Sequence, residues 1–308
     1  MPKIEPKKTP LKVESTSPAP KTEASSEPTE PQPPRVTALI VSYNSVAALR
    51  RCVQAVDGNP EVEVLVVDLG SQDGSAGIDS EFPGVTVLRL PKHFGATKAM
   101  NIATRTSGAD YILYLDPHAE MAPGTVIGLA NVLDANADAI AAAPLLHPTP
   151  QVYKIPDSAT LGAACESGSL PTVTVDTNAE LAIVDFASRS ALMVRKDFVR
   201  GMNYFDERYG HAWPDLELAW QIQNAQRKTV VATSLGATWM EPEEEAEGTT
   251  MVVDRYNSAA GFLGKHHGFA AGLGFRVSAI LKALFSFRFG LFSGLLSGQK
   301  IDGTQGSL

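Results

Sequence analysis

Two short stretches decide the fold, VTALIVSYNS at residues 36–45 and VEVLVVDLGSQDGS at residues 62–75. Each begins with a run of apolar, mostly β-branched residues, which is typical of a strand covered on both faces. Each then changes abruptly to small and polar residues. Between them, apolar residues recur at spacings of three and four from Val46 to Val56, which predicts a helix. A strand, a helix and a second strand predict a parallel βαβ unit.

The same alternation continues along the chain. Further strands are predicted at residues 85–90, 111–115, 137–144 and 228–234, with one or two more at residues 183–195, and further helices at residues 95–105, 123–136 and 215–226. Residues 144–180 break the pattern with scattered Pro, Ser, Gly and Thr, and we expect an excursion over a cleft there. The sequence therefore predicts an α/β fold with a mostly parallel central sheet flanked by helices.

The amino-terminal residues differ in composition from the rest. Residues 1–34 hold nine of the 21 prolines, five Lys, five Glu and no aromatic residue, so we expect residues 1–35 to be a disordered, Pro-rich leader. It has no apolar stretch of the kind that a secretory signal needs. Because the leader is neutral, the remaining 21 basic and 29 acidic residues carry the net charge of −8. That balance argues against nucleic-acid binding, which needs a basic surface.

The two cysteines also exclude classes of protein. Cys52 and Cys165 are far apart in sequence, and two residues cannot form a disulfide framework or a thiolate metal cluster. We expect both to be small core residues, in a protein of the reducing cytoplasm.

Residues 247–308 are expected to form a helical extension. Between residues 268 and 300 there is no Asp or Glu, and residues 269–292 hold six of the 12 Phe. Small and polar residues recur from Ser278 to Ser297, which predicts one helix with a polar stripe. Its longest uncharged run is 11 residues, too short to span a bilayer. Two interpretations stay open: a helix packed on the main domain, or one lying at the membrane interface through residues 269–300.

Polar residues follow three of the predicted strands, at residues 42–45, 68–75 and 116–118. Ligands of open parallel sheets bind beyond the carboxyl ends of the strands, so neighbouring ends would form one polar rim. Asp68 can accept hydrogen bonds from an imide N–H or a sugar hydroxyl, and Gly70 permits a tight turn and close approach of a ligand.

These pieces, in this order, resemble the family 2 glycosyltransferases with a GT-A fold, especially the bacterial rhamnosyltransferase-like branch. The resemblance covers roughly residues 36–240 and implies a GT-A domain at residues 36–246. The matching blocks are residues 40–45, 66–75, 94–95, 101, 111–118, 193–195, 205–207 and 215–218.

The resemblance implies transfer of a sugar from a nucleotide-diphosphate sugar to a glycan or lipid-linked acceptor, in cell-surface polysaccharide or glycolipid synthesis. Asp215 falls where inverting members place the base that deprotonates the acceptor hydroxyl. The implied donor-binding residues are Tyr43, Asn44, Asp68, Gly70, Ser71, Asp73, Asn101 and Asp116. The implied location is the cytoplasm, with peripheral contact at the inner face of the membrane as the open alternative.

The sequence departs from the family pattern on the metal side. His118 stands where the family has a metal-binding carboxylate, and Pro214 replaces the first acid of a Glu-Asp pair. Imidazole can bind Mn²⁺, whereas Mg²⁺ prefers oxygen ligands. The resemblance implies a divalent cation, Mn²⁺ or Mg²⁺, but His118 leaves two roles open for itself: contact with that cation or contact with the donor diphosphate.

The changes at positions 118 and 214 favour an alternative, a catalytically degenerate domain that binds a nucleotide, glycan or partner without turnover. A nucleotidyltransferase is disfavoured because residues 43–45 lack a basic, Gly-rich phosphate loop.

Overall fold

The computed structural model describes residues 33–240, 248–299 and 301. The predicted leader lies outside these residues except at its end, and so does the predicted boundary between residues 246 and 247. Arg35 is already part of the folded chain, since its N–H donates to the carbonyl of Glu61 at 2.9 Å and its guanidinium pairs with Asp134.

The described chain alternates strands and helices in the predicted way. The strands are β1 Val36–Ser42, β2 Val62–Asp68, β3 Thr86–Arg89, β4 Tyr111–Leu115, β5 Ala119–Met121, β6 Ala139–His147, β7 Val152–Tyr153, β8 Leu181–Val184, β9 Phe186–Ala187, β10 Ala191–Arg195 and β11 Lys228–Trp239. The helices are α1 Val46–Val56, α2 Ala96–Thr106, α3 Thr125–Ala135, α4 Ser158–Ser167, α5 Lys196–Gly201, α6 Pro214–Asn224, α7 Thr249–His266, α8 Phe269–Phe285 and α9 Phe289–Ser297, with a 3₁₀ helix at Ser75–Ser80.

Within these residues, nine strands form one sheet in the order β3-β2-β1-β4-β10-β6-β11-β5, with β8 paired to β11. Strands β3, β2, β1 and β4 are parallel, and β6 is parallel to β11. Strand β10 runs against both of its neighbours, as β5 and β8 run against β11. The sheet is therefore mostly parallel, as predicted. Because Ser42 pairs with Asp68, the polar ends of β1 and β2 lie side by side.

Helices cover both faces of the sheet, which explains why its strands are apolar at successive positions. Ile40 and Leu49 belong to the core on one face, and Leu39 and Met100 to the core on the other. A third apolar cluster joins α4 and α6 to the carboxyl-terminal helices. The cysteines are free and buried, as expected for core residues.

Three sequence expectations need correction. Residues 183–195, predicted as one or two strands, fall within a segment that forms three, β8, β9 and β10. The irregular excursion predicted at residues 144–180 contains two regular elements, β7 and α4. The single helix predicted across residues 278–297 is wrong, because α8 ends at Phe285 and α9 begins at Phe289. Phe287 adopts a left-handed conformation (φ +57°), and Arg288 pairs with Glu166 of α4 at 2.6 Å. The apolar pattern continues through this turn, so periodicity does not reveal it.

Candidate functional site

Two cavities adjoin beyond the carboxyl ends of β1 and β4. The first, of about 520 Å³, is bordered by Tyr43, His93 and His118. The second, of about 560 Å³, is bordered by Tyr153 and Asp215. The residues that line both cavities are Asp116, Arg189, His211 and Met251. The structure thus brings four predicted site residues, Tyr43, Asp116, His118 and Asp215, to one continuous cleft.

Three other predicted residues lie in the loops after β1 and β2, beside this cleft. Asn44 is in the left-handed region (φ +47°), and its N–H donates to Ser71 Oγ at 2.9 Å. Asp73 Oδ2 accepts the N–H of Val46 at 2.7 Å, so this carboxylate caps α1 from the neighbouring loop. Asn44, Ser71 and Asp73 are not among the residues that line the two cavities. What the geometry shows for them is that they hold the β1 and β2 loops together.

Asp68 and Gly70 shape the turn behind the first cavity. Asp68 is 1% exposed, and its Oδ2 accepts the N–H groups of Gly70 and Ser71, each at 3.0 Å. Its Oδ1 is buried and has no hydrogen-bond partner among the described residues. Gly70 has φ +78°, and a Cβ there would lie 3.0 Å from Lys92 Cα. Glycine is therefore required at position 70, both for its backbone angle and for this close approach.

Asn101 lies deeper than the sequence suggested. Its side chain is fully buried and bonds to the backbone of Phe205, donating to the carbonyl at 2.8 Å and accepting from the N–H at 3.0 Å. Its amide also donates to Glu207 at 3.2 Å. These bonds tie α2 to the loop before α6, and a role in donor binding stays a prediction.

Asp116 and His118 form a closed pair at the end of β4. Both the N–H of His118 and its ring Nδ1 bond to Asp116 Oδ1, at 2.9 Å and 3.0 Å. Burial alone would raise the pKa of Asp116, but these bonds and the charge of Arg189 outweigh it and lower that pKa. Asp116 is therefore ionised at neutral pH, and the ring Nδ1 donates to it.

The described residues do not provide a binding site for the divalent cation that the resemblance implied. Among residues 33–240, 248–299 and 301, no three His, Cys, Asp or Glu side chains lie close enough together to hold a metal ion. Asp116 and His118 offer one carboxylate and one imidazole, and Oδ1 of Asp116 and Nδ1 of His118 already bond to each other. Hard divalent cations need more oxygen ligands than this pair supplies.

Arg189 and His211 sit where the two cavities meet. The guanidinium of Arg189 donates to Nε2 of His211 at 3.3 Å. Burial, then the charge of Arg189, lowers the pKa of His211 to about 3, so this imidazole is neutral at pH 7. The sequence left His211 open between a structural and a functional role and assigned none to Arg189. Arg189 lies in the turn between β9 and β10, and no motif or spacing marks it.

Asp215 faces the second cavity from the first turn of α6. The backbone N–H of Arg189 donates to its Oδ2 at 3.2 Å, and the N–H of Leu216 donates to its Oδ1 at 3.1 Å. Tyr153, Trp213 and Trp239 add aromatic surface to the same cavity. Flat apolar faces around one carboxylate suit a ligand that has both C–H surfaces and hydroxyl groups.

The comparisons with known proteins agree on one architecture. The sequence model described as Glycosyl transferase family 2 matches residues 37–199. The search of curated proteins gives no significant match. A crystal structure of GalNAc-T7 with UDP, GalNAc and Mn²⁺ has a TM-score of 0.57 and 13% identity, over 75% of this chain and 48% of that one.

A second solved structure covers more of its own chain. It is the mannosyltransferase PcManGT from Pyrobaculum calidifontis in complex with GDP-Man and Mn²⁺, with a TM-score of 0.52 and 15% identity, over 86% of this chain and 82% of that one. The present chain spans about half the length of the GalNAc-T7 chain. At these identities the likeness shows the fold, and the Mn²⁺ belongs to those two structures.

Proposed function

This chain belongs to glycosyl transferase family 2, and from that premise we propose that it moves a sugar from a nucleotide-diphosphate sugar to a hydroxyl of a glycan or lipid-linked acceptor. The observation that carries the proposal is the pair of adjoining cavities with Asp215 at their acceptor side. One cavity accommodates the donor and the other the acceptor, and the anomeric carbon lies where they meet.

The first cavity suits the nucleotide. Tyr43 is 49% exposed, and its ring meets His93 edge to face with 4.8 Å between ring centroids. An exposed aromatic face beside a second ring can stack on a nucleobase. Asp68, Gly70 and Ser71 then act through the turn that they form behind this surface. The diphosphate would point towards His118 and Arg189, at the junction of the cavities.

Asp215 is the proposed general base. In the reaction, the acceptor hydroxyl gives its proton to the Asp215 carboxylate while its oxygen attacks the anomeric carbon. The bond from that carbon to the diphosphate oxygen breaks, and its electron pair leaves with the nucleoside diphosphate. Attack from the acceptor cavity, opposite the leaving group, inverts the anomeric configuration. The Arg189 N–H fixes one carboxylate oxygen and thereby orients the other.

We further propose that α8 and α9 bring the enzyme to a membrane surface, where lipid-linked acceptors reside. Of the eleven large apolar side chains that are exposed in the described residues, nine lie on α8, α9 or the turn between them, so the patch is local. On α8 the small residues Gly272, Ala279 and Ala283 are buried, and the exposed side chains include Phe269 and Phe285. Apolar patches of this kind mark interaction surfaces.

Charge favours an anionic lipid surface as the partner. From residue 268 to residue 299 there is no acidic side chain, whereas Arg276, Lys282 and Arg288 are basic. Lys282 and Arg288 both pair with the single carboxylate of Glu166, which leaves the surroundings of the patch net positive. None of the described helices is long and apolar enough to cross a bilayer. These features suit contact in the plane of the headgroups.

A binding-only domain is the second candidate, and the lack of a metal-ligand cluster in the described residues favours it. Turnover separates the two. The full-length protein is incubated with UDP-, dTDP- and GDP-sugars, and phosphorus NMR follows release of the nucleoside diphosphate by transfer or hydrolysis. We expect release from one nucleotide class. Binding of a donor without any release would favour the second candidate.

A further inference from the structure

We propose that Arg189, together with the neutral imidazole of His211, binds the donor diphosphate and stabilises it as it leaves, in place of a divalent cation. This inference rests on the proposed glycosyl transfer. The leaving diphosphate carries negative charge, and the described residues do not form a metal site that would balance it.

The guanidinium of Arg189 forms no ion pair with a described residue. No described carboxylate lies within ion-pair distance of it, although its charge lowers the pKa of Asp116 from further away. The guanidinium bonds to Nε2 and to the carbonyl oxygen of His211, at 3.3 Å and 3.5 Å. The side chain is half-buried. A cation in this position loses hydration without gaining an ion pair, which an anionic ligand would correct. A planar guanidinium also matches two phosphate oxygens at once.

Arg189 lies in the cleft next to the residues proposed to act on the donor and the acceptor. Its own N–H donates to Asp215, and the carbonyl of the next residue, Ser190, accepts the N–H of Asp116 at 3.0 Å. The turn that carries Arg189 therefore touches both the proposed base and the end of β4. Arg189 is one of the residues that line both cavities.

His211 supplies a second, independent sign of an anionic ligand. Arg189 can only donate, so Nε2 of His211 must accept and the ring proton must sit on Nδ1. Nδ1 is buried, and it has no hydrogen-bond partner among the described residues. Buried donors without partners are uncommon. A phosphate oxygen at the junction of the cavities would accept from both Nδ1 and the guanidinium.

The reaction balances without a metal. The bond between the anomeric carbon and the diphosphate oxygen breaks, and both electrons stay on that oxygen. Arg189 offsets the charge that develops there, and the N–H of His211 donates to the same group. Because the guanidinium is always protonated, it carries its charge throughout the neutral pH range.

The test is calorimetric titration of the full-length protein with UDP, dTDP and GDP, in EDTA and again in Mn²⁺. We expect one of them to bind equally well in both buffers. Arg189→Met should weaken that binding about tenfold to a hundredfold, and Arg189→Lys should weaken it less. The nucleoside without phosphates should bind all three proteins alike. Arg200→Met, which removes an exposed arginine paired with Asp197, is the matched control.

Each other outcome overturns the inference in a defined way. Binding that requires Mn²⁺, or that Arg189→Met leaves unchanged, contradicts it while the proposed glycosyl transfer stands. If no nucleotide binds the wild-type protein in either buffer, the proposed function fails as well. Circular dichroism checks that the variants fold, and the comparison of EDTA with Mn²⁺ uses the wild-type protein and needs no variant.

Discussion

Asp254 Oδ2 accepts a 2.7 Å hydrogen bond from the backbone N–H of His211. The same oxygen accepts the N–H of Ala212 at 3.1 Å, and the indole of Trp213 donates to the carbonyl of Arg255 at 3.1 Å. Asp254 and Arg255 lie on α7, beyond the residues that match the family. The loop that carries His211 and leads into Asp215 is therefore held in place by the carboxyl-terminal helices.

Gly210 tests this attachment. A Cβ at position 210 would lie 1.9 Å from Asp254 Oδ1, so Gly210→Ala must push the loop and α7 apart. We expect urea unfolding to show a loss of about 1–3 kcal/mol, the usual cost of overpacking. Gly201→Ala is the control, because a Cβ there meets nothing within 4 Å. Equal stability of the two variants would show that α7 does not hold the loop.

Asp215→Asn tests the proposed base. The amide keeps the shape of the carboxylate but cannot take the acceptor proton, so we expect turnover to fall about 10²- to 10⁴-fold. Donor affinity should change little, since the donor lies in the other cavity. Rates and calorimetric affinities are measured side by side, with Asp197→Asn as the control at an 83% exposed carboxylate. Unchanged turnover in Asp215→Asn would remove this residue from the chemistry.

Glu217 should make stability depend on pH. This buried carboxylate bonds to four side chains, Tyr209, Gln221, Lys265 and His266. Burial alone would raise the pKa of Glu217, but these partners outweigh it and lower the pKa below its ordinary 4.5. The stabilisation is then present above pH 4.5 and is lost as the pH falls through the lower, folded-state value.

Glu217→Gln should therefore cost about 2 kcal/mol at neutral pH, because Lys265 loses a counter-charge and the buried hydrogen-bond network loses its charged acceptor. The difference from wild type should narrow as the pH is lowered below 4.5. Chemical unfolding across this range measures it, and Glu180→Gln at an exposed position is the control. A difference that stays constant with pH would show that the carboxylate charge does not contribute.

The membrane surface can be tested by replacing Phe285, Phe287 and Phe289 together with Ser. These side chains are 76%, 77% and 63% exposed, so the folded protein should keep its melting temperature. The affinity for vesicles that contain anionic lipid, measured by sedimentation, should fall by about tenfold or more, because three aromatic side chains that would insert into the lipid are removed. Ile183→Ser, at a 65% exposed site on β8, is the control. Equal sedimentation of both variants would contradict membrane contact through α8 and α9.

Local pattern predicted the sheet, because buried strands such as β1 and β2 are apolar whatever surrounds them. It also predicted that Asp116 and the residues after β1 would meet, since parallel strands end at the same edge. The contact of Arg189 with His211 was not predictable, because it joins a turn between two short strands to a loop 22 residues later. The break between α8 and α9 was not predictable for a related reason. The ion pair between Arg288 and Glu166 joins residues that are 122 positions apart, and it does not change the spacing of the apolar residues.

The most direct test of the proposed glycosyl transfer is calorimetric titration of the full-length protein with UDP-, dTDP- and GDP-sugars, with and without Mn²⁺. We predict saturable binding of one nucleotide class, with one donor per chain, weakened by Tyr43→Ala at the exposed ring of the first cavity. Absence of binding by all three classes in both conditions would contradict the assignment of this cleft to a nucleotide-sugar donor.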